Sequence, residues 1–463
     1  MMSSSSTISS GSRSSQSAGY EGSIELESPL HSVSRFLLVA ALFVSPWLYG
    51  AVQPWAWGCL VLLAATLLFM WGLGCIQDGV LRLVWSPLYW PGVLFLTVGI
   101  VQLLGHRSLD RFGTRESLLK LVAGLIFFFL ACQLFGGRKD RSGVHAGFGF
   151  AVSLLAFVMS LFAILQYVSS RNLNLVYWTV KSPGWTFGPY INHNHYGGLM
   201  EMLIPIAVTF FLSRSRTDPL RPLLGFASLL PLASLLLSGS RGAFISLLVE
   251  VLILGGILLW LSPAERRRDV TLGVSFVLVV AALFFLWIDP GDVSTRLATV
   301  FHRGGAAEVS MNGRLVVSRD SLGIVRDHPV LGTGLGSFGV VYPRYMSFSS
   351  DLLWDHAHDD YVEALAETGI VGGVIILFAL MLFFPLAFGG LRERLRGEAG
   401  WIQLGAALGC CGLLVHSFVD FNLHIPANAA WFAVCAGIAT ARLQPHHDTL
   451  GEHHSPALCG KPV

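Results

Sequence analysis

Residues 362–388 read VEALAETGIVGGVIILFALMLFFPLAF, and beyond Glu367 no side chain in the stretch carries a charge. As a helix the run is long enough to cross the roughly 30 Å hydrocarbon layer of a membrane. A spanning barrel strand alternates apolar and polar residues every second position, which this run does not do. Similar runs are expected to form spans near 36–54, 56–76, 84–104, 117–136, 145–169, 196–213, 222–239, 243–261, 270–289, 362–388, 401–420 and 426–441. Composition agrees: hydrophobic residues make up 53% and charged residues 13%, with mean hydropathy +0.63, against about 25% charged in soluble domains. The expected fold is all-α, a polytopic integral membrane protein of about 12 transmembrane helices with a long helical outer loop between spans nine and ten.

The Ser-rich and Gly-rich stretch 1–35 reads as a disordered cytoplasmic tail. Residues 36–441 read as one transmembrane domain that includes an outer loop, 290–361, and 442–463 as a second cytoplasmic tail. Lys and Arg set the orientation: in short segments 17 fall on the side of the N-terminus and 7 on the other, so both termini are expected inside. Six of the seven cysteines lie in or beside apolar spans and none in the long loop, which argues against a disulfide-stapled outer domain. Loops as long as 290–361 are usually functional. Within it Asn312 is expected to cap a helix from Gly313 to about Arg326, closed by Pro329, and a second helix is expected to start near Asp359 and run into span ten.

The densest polar cluster is WDHAHDDYVEALAETG, Trp354 to Gly369. Titratable groups packed beside a span are where a substrate with labile protons would be handled. His356, Asp360, Glu363 and Glu367 are spaced by 4, 3 and 4, one helical face if the helix begins early, with His358 at or just before the N-cap. A histidine there can keep one ring nitrogen exposed while a carboxylate fixes its tautomer; the plain alternative is an acidic, solvated helix start. His356, His358 and Asp360 also permit a metal reading, for which H-x-H is a weak signal.

Arg241 stands alone in LSGSRGA at the outer end of spans seven and eight, where an arginine needs an anionic partner or water. Gly239, Ser240 and Gly242 around it would let a phosphate approach the backbone; the plain alternative is a snorkelling side chain. Arg314, Arg319 and Arg326 share the loop helix, with Arg303 and Arg344 nearby, and guanidinium forks suit phosphate oxygens. Some of these arginines could instead pair with Asp320, Asp327 or Asp351. GTGLGS, 332–337, follows no strand and reads as a turn rather than a nucleotide loop. Asn192, His193, Asn194, His195 and Tyr196 open span six, and the intramembrane Glu201 wants a partner such as His195. The last outer turn adds His416, Ser417, Asp420, Phe421, Asn422, His424 and Pro426 to the same face.

Several of these segments together resemble the O-antigen ligase and O-antigen polymerase superfamily of bacterial envelope glycosyltransferases. The likeness runs from about 180 to 430 and rests on N-x-N-H-Y-G-G-L-x-E at 192–201, S-G-S-R-G at 238–242, G-R with D-H-P-x-L-G-T-G-L-G-S-F across 313–338, H-A-H-D-D-Y through E-T-G at 369, and H-S-x-x-D-F at 416–421. It implies metal-independent transfer of a glycan from an undecaprenyl-pyrophosphate donor to a glycan or lipid acceptor hydroxyl, at the outer face of the inner membrane, in contact with membrane lipids. It implies no cofactor, metal or nucleic-acid partner. The family's histidine maps onto His358 and its arginines onto Arg241 and Arg314. Asn194, His195, His356, Asp360, Tyr361 and Arg319 are the further substrate-binding candidates. A departure is Asp359, where many relatives carry asparagine.

The leaving group of such a displacement is already good, so positive charge on the pyrophosphate matters more than a strong acid. His358 would accept or orient the acceptor proton, with Asp360 as its possible partner. Two other readings compete: a transporter of a small anion, which should show repeated halves and charges near the bilayer midplane, and a non-enzymatic scaffold, which leaves the histidine and arginine cluster without a purpose.

Overall fold

The computed structural model describes residues 28–81, 83–137, 142–169, 186–288, 311–349 and 353–441. Both expected tails beyond these limits, and Arg303 with the first part of the outer loop, lie outside the described residues. Thirteen longer helices occur among those described: α1 Pro29–Val44, α2 Pro54–Gln77, α3 Tyr89–Leu104, α4 Arg111–Phe135, α5 Ser142–Ser169, α6 His193–Ser213, α7 Arg221–Leu237, α8 Arg241–Leu261, α9 Ala264–Ile288, α10 Met311–Asp327, α11 Asp360–Phe388, α12 Glu398–His416 and α13 Pro426–Thr440. Setting α10 aside, the other twelve fall on the twelve expected stretches. Eight are long and apolar enough to cross a membrane, and α3 and α7 are shorter apolar helices. The protein is an all-α, multi-pass membrane protein.

Several boundaries differ from expectation by a few residues or more, among them the end of α1 and the starts of α3, α4 and α9, and two of the differences have clear local reasons. Helix α1 begins at Pro29, inside the stretch read as tail, because Ser28 caps it: its Oγ accepts from the Leu30 N–H at 3.2 Å. Hydropathy does not register such a cap. In the loop, α10 takes in Asn312 in its first turn, so that residue is not the N-cap expected of it.

Helices α6 and α12 form the centre of the bundle, buried along nearly their whole length. Glycines on α12 explain how closely they meet. A Cβ at Gly405 would lie 2.6 Å from the Cα of Ile206, and one at Gly409 would lie 2.7 Å from the Cα of Met202. Small residues at such spacing let helix backbones touch, where packing rather than the hydrophobic effect holds helices together. Outward-facing Leu62, Phe69, Ile76, Phe276 and Leu377 are exposed, as lipid-facing side chains should be.

The outer loop is fastened to the bundle by the GTGLGS turn. Gly332, Gly334 and Gly336 all have positive φ, 66°, 110° and 72°, which glycine adopts without strain. The turn wraps the start of α11: Thr333 N–H donates to the Ala366 carbonyl, Gly334 N–H to that of Glu367, and Phe338 N–H to Glu367 Oε1. From the opposite side Gln102 Nε2 donates to the carbonyls of Leu331 and Glu367. It is a structural turn. Gly369 breaks α11 at φ 65°, ψ −164°, a conformation essentially confined to glycine, and the amides freed there, Ile370 and Val371, donate to the carbonyls of Pro329 and Val330. A short helical piece, 360–368, is thereby set apart from the 19 residues that follow it.

Candidate active site

The α1–α2, α3–α4, α7–α8 and α12–α13 connections, the start of α6 and the outer loop all lie at one end of the bundle. Asp420, in the turn after α12, is the hub of that end. It is fully buried, and three side chains from distant stretches converge on it. Arg314 of α10 places Nη1 3.4 Å from Oδ2 and donates to the Val419 carbonyl at 2.6 Å. His358 Nδ1 lies 3.6 Å, and His195 Nε2 3.7 Å, from Oδ1. Both separations are longer than a hydrogen bond. Burial pushes the Asp420 carboxyl up, but His195, His358 and the Arg314 guanidinium outweigh it and hold the group well below the usual carboxylate range.

Arg241 opens α8, whose N-cap Ser240 accepts from the Ala243 N–H at 3.3 Å. The next residue sets where that helix start lies: a Cβ on Gly242 would run into the ring of His416 and the side chain of Val419. Arg241 therefore enters the chain one residue from a glycine packed against the same turn that Arg314 grips. Of the three small residues expected to let a phosphate approach, Gly242 is spent on this packing and Ser240 is buried as the cap. Gly239, at φ 72°, has open space where a Cβ would be.

Asp359 is the N-cap of α11, its Oδ1 accepting from Tyr361 and Val362 at 3.0 Å, so the departure noted in sequence fills a role that asparagine fills equally well. Burial raises its carboxyl above the usual range. His358 immediately precedes that cap, as expected, in a left-handed conformation at φ 53°. Its ring is held edge-on by Phe421 at 4.8 Å and Trp354 at 5.6 Å. Its carboxylate partner is Asp420 rather than Asp360. Asp360 instead accepts from Ser417 Oγ at 2.7 Å and lies 2.9 Å from His424 Nδ1.

His356 sits before the helix and not on it, yet its Nδ1 is 2.8 Å from Glu363 Oε1, and His424 Nε2 lies 3.2 Å from the same oxygen. Burial lowers His424, but Glu363 and Asp360 outweigh that and raise it to about 10. The expected pairing of Glu201 with His195 does not form, because His416 Nδ1 occupies Glu201 at 2.7 Å while His195 turns to Asp420. Asn194 is buried at the start of α6, where its backbone N–H donates to Oδ1 of the N-cap Asn192. Tyr361 donates to the Leu414 carbonyl at 2.7 Å, fixing α11 against α12. Arg319 is exposed on α10 and takes no part in the convergence on Asp420.

Beside the hub is a half-open cavity of about 320 Å³, bordered by Lys120, Asn192, His195, His356, Phe421 and His424. Lys120 reaches it from the middle of α4, paired with Glu116 at 2.6 Å and 5.1 Å above the Trp57 ring. Sequence reasoning named Asp420 and His424 only as polar neighbours and passed over Lys120, although a lysine inside an apolar run is a signal in itself. It also missed Glu250, buried in α8 among apolar residues close to Glu201.

Residues 226–377 match the family model described as O-antigen ligase. The chain carries an O-antigen ligase domain. It is accordingly a membrane enzyme of the glycan-transferring, ligase or polymerase kind. The matched stretch contains Arg241, Arg314, His356 and His358, whereas Asn194, His195, Asp420 and His424 lie outside it and join the O-antigen ligase segment only through the fold. No curated protein matches the chain.

Proposed function

We propose that this protein transfers a glycan from an undecaprenyl-pyrophosphate donor to an acceptor hydroxyl at the outer face of the bacterial inner membrane, as ligase or polymerase, without a metal in the chemical step. The observation that carries this reading is the meeting of Arg314, His358 and Asp420, from three remote stretches, beside the start of α8 that bears Arg241.

The acceptor oxygen bonds the donor's anomeric carbon, and the bond from that carbon to the pyrophosphate oxygen breaks. Undecaprenyl pyrophosphate leaves carrying the electron pair. Arg314 and Arg241, with the α8 N-terminus, stabilise the growing phosphate charge. Since Nη1 of Arg314 is committed to Val419 and Asp420, its remaining N–H groups are the ones offered to phosphate. His358 faces Asp420 through Nδ1, which leaves Nε2 to take the acceptor proton. Asp420 acts as a positioning residue for both. The polyprenyl chain lies along the apolar exterior, with the sugar at the water boundary.

The test is transfer by purified, reconstituted protein supplied with lipid-pyrophosphate glycan and acceptor. Arg241→Ala and His358→Ala should each abolish product while the protein stays folded; turnover retained in both rejects these roles. Mass analysis of glycolipids after deletion separates the two enzyme kinds, since a ligase loss leaves unligated polymer and a polymerase loss leaves single repeats. Glu250, nine residues into α8 and beside Glu201, is the one feature that favours transport, because buried intramembrane carboxylates serve carriers. Vesicles that accumulate a small anion in proportion to the protein would support that second reading.

A further inference from the structure

We propose that His356, Glu363 and His424 form a binding site for a divalent transition metal of the zinc class, which fixes the segment presenting His358. Their ligand atoms, one from each residue, all lie within 4.8 Å of one another. His356 Nδ1 and His424 Nε2 approach the same oxygen, Glu363 Oε1, at 2.8 and 3.2 Å. Ligands bound tetrahedrally at 2.0–2.1 Å stand about 3.3 Å from each other, so the two histidine–carboxylate separations need to open only slightly, while the two ring nitrogens already lie within 4.8 Å of each other.

The surrounding contacts orient each ligand as a metal site requires. His424 Nδ1 is 2.9 Å from Asp360 Oδ1, a carboxylate–imidazole pair that leaves Nε2 as the coordinating nitrogen. Asp360 is itself held by Ser417 Oγ at 2.7 Å, and Glu363 Oε2 accepts the Ala357 N–H at 2.7 Å. The His356 ring is stacked on Phe421, centroids 4.3 Å apart and planes 20° apart. Two imidazoles and a carboxylate are a ligand set that zinc favours, with a fourth position left open. His356 and His424 both border the 320 Å³ cavity, so that position faces it.

This is a different triad from the His356, His358 and Asp360 set suggested by the sequence. His358 turns away to Asp420, and Asp360 supports a ligand instead of being one. The metal would tie together three pieces: the segment before α11, α11 itself and the turn after α12. Phe421 transmits the effect, because it stacks on His356 and meets the His358 ring edge-on. No reacting atom touches the ion, so the site and the transfer reaction stand or fall separately.

The experiment uses full-length protein in detergent, treated with chelator and then titrated with zinc chloride, with bound metal counted by mass spectrometry. A second chain carries asparagine in place of His446, His447, His453 and His454, which removes the tail histidines as competing ligands. One zinc per chain should remain in that background, and Glu363→Gln should weaken it at least a hundredfold. His424→Cys keeps a ligand, and with cobalt it should add a thiolate charge-transfer band in the near ultraviolet. His358→Ala should bind zinc as the parent does. The proposal is overturned if no zinc is retained, if binding disappears with the tail histidines alone, or if the cysteine variant shows no such band.

Discussion

Asp420→Asn removes one charge from the hub without changing its volume, and its consequence can be worked from the contacts. Arg314 lies 3.4 Å away with 15% of its side chain exposed, and Asp420 has none exposed. At that distance, with an effective dielectric of about 20, the gross attraction is about 4–5 kcal/mol. Truncating one member of a buried pair typically costs about 3–5 kcal/mol, since the other charge is left without compensation. Arg314 keeps its 2.6 Å bond to the Val419 carbonyl, so the lower end, about 3 kcal/mol, applies. His358 also loses the carboxylate that orients its ring. The cost of the broken pair should register in thermal unfolding, while turnover should fall about a hundredfold, the lower end of what a positioned general base contributes, and the loss should appear in kcat more than in the KM for the lipid-linked donor. The assay is product formation in nanodiscs with defined donor and acceptor, alongside thermal unfolding of the same preparation. A variant that turns over within threefold of the parent would refute Asp420 as the residue that holds His358 and Arg314 in place.

Three further outcomes follow from individual contacts. Arg314→Lys keeps the charge but loses the fork that serves Val419, Asp420 and phosphate together, so activity should drop at least tenfold, with donor KM raised; unchanged donor KM would count against a phosphate contact. Gly369→Ala forces a side chain into φ 65°, ψ −164° and against the Val330 carbonyl, which should cost about 1–3 kcal/mol from the backbone alone and lower the melting temperature measurably. The Asp420 carboxyl is held below its unfolded value of about 3.9, so its stabilising effect is fully present above that pH and is lost as pH falls toward the folded value. The difference in melting temperature between parent and Asp420→Asn should thus be constant from about pH 5 to 8 and shrink below about pH 4; a gap that widens in acid would contradict the sign.

The helical membrane architecture was legible in sequence because each apolar run reports directly on the solvent around it. Caps were less so: Ser28 and Pro29 extend α1 into a polar stretch through one side-chain hydrogen bond that no hydropathy average detects. In the site, His358 could be placed because its position relative to the helix start is local, four residues of sequence read in order. Its partner could not. Asp360 is nearest along the chain, but Asp359 takes the cap, α11 begins at Asp360, and Asp360 is drawn to Ser417 and His424 from the turn after α12. Glu201 and His195 fail in the same way, since residues six apart in sequence lie on different faces of α6 and each finds its partner on α12 or the turn beyond it.

That pattern has a physical reason that bears on the chemistry. A carboxylate buried this deeply cannot be satisfied by solvent, so its position is set by whichever cations the fold can bring to it. Asp420 is approached by groups from α6, from α10 and from the segment before α11 at once. Any movement of the outer loop relative to the bundle therefore acts on the same carboxylate that His358 faces through Oδ1 and Arg314 through Oδ2. Loop placement and the geometry of His358 and Arg314 are coupled through one carboxylate, and the Gly332–Ser337 turn, which fastens the loop to the first turns of α11, secures that coupling from a distance.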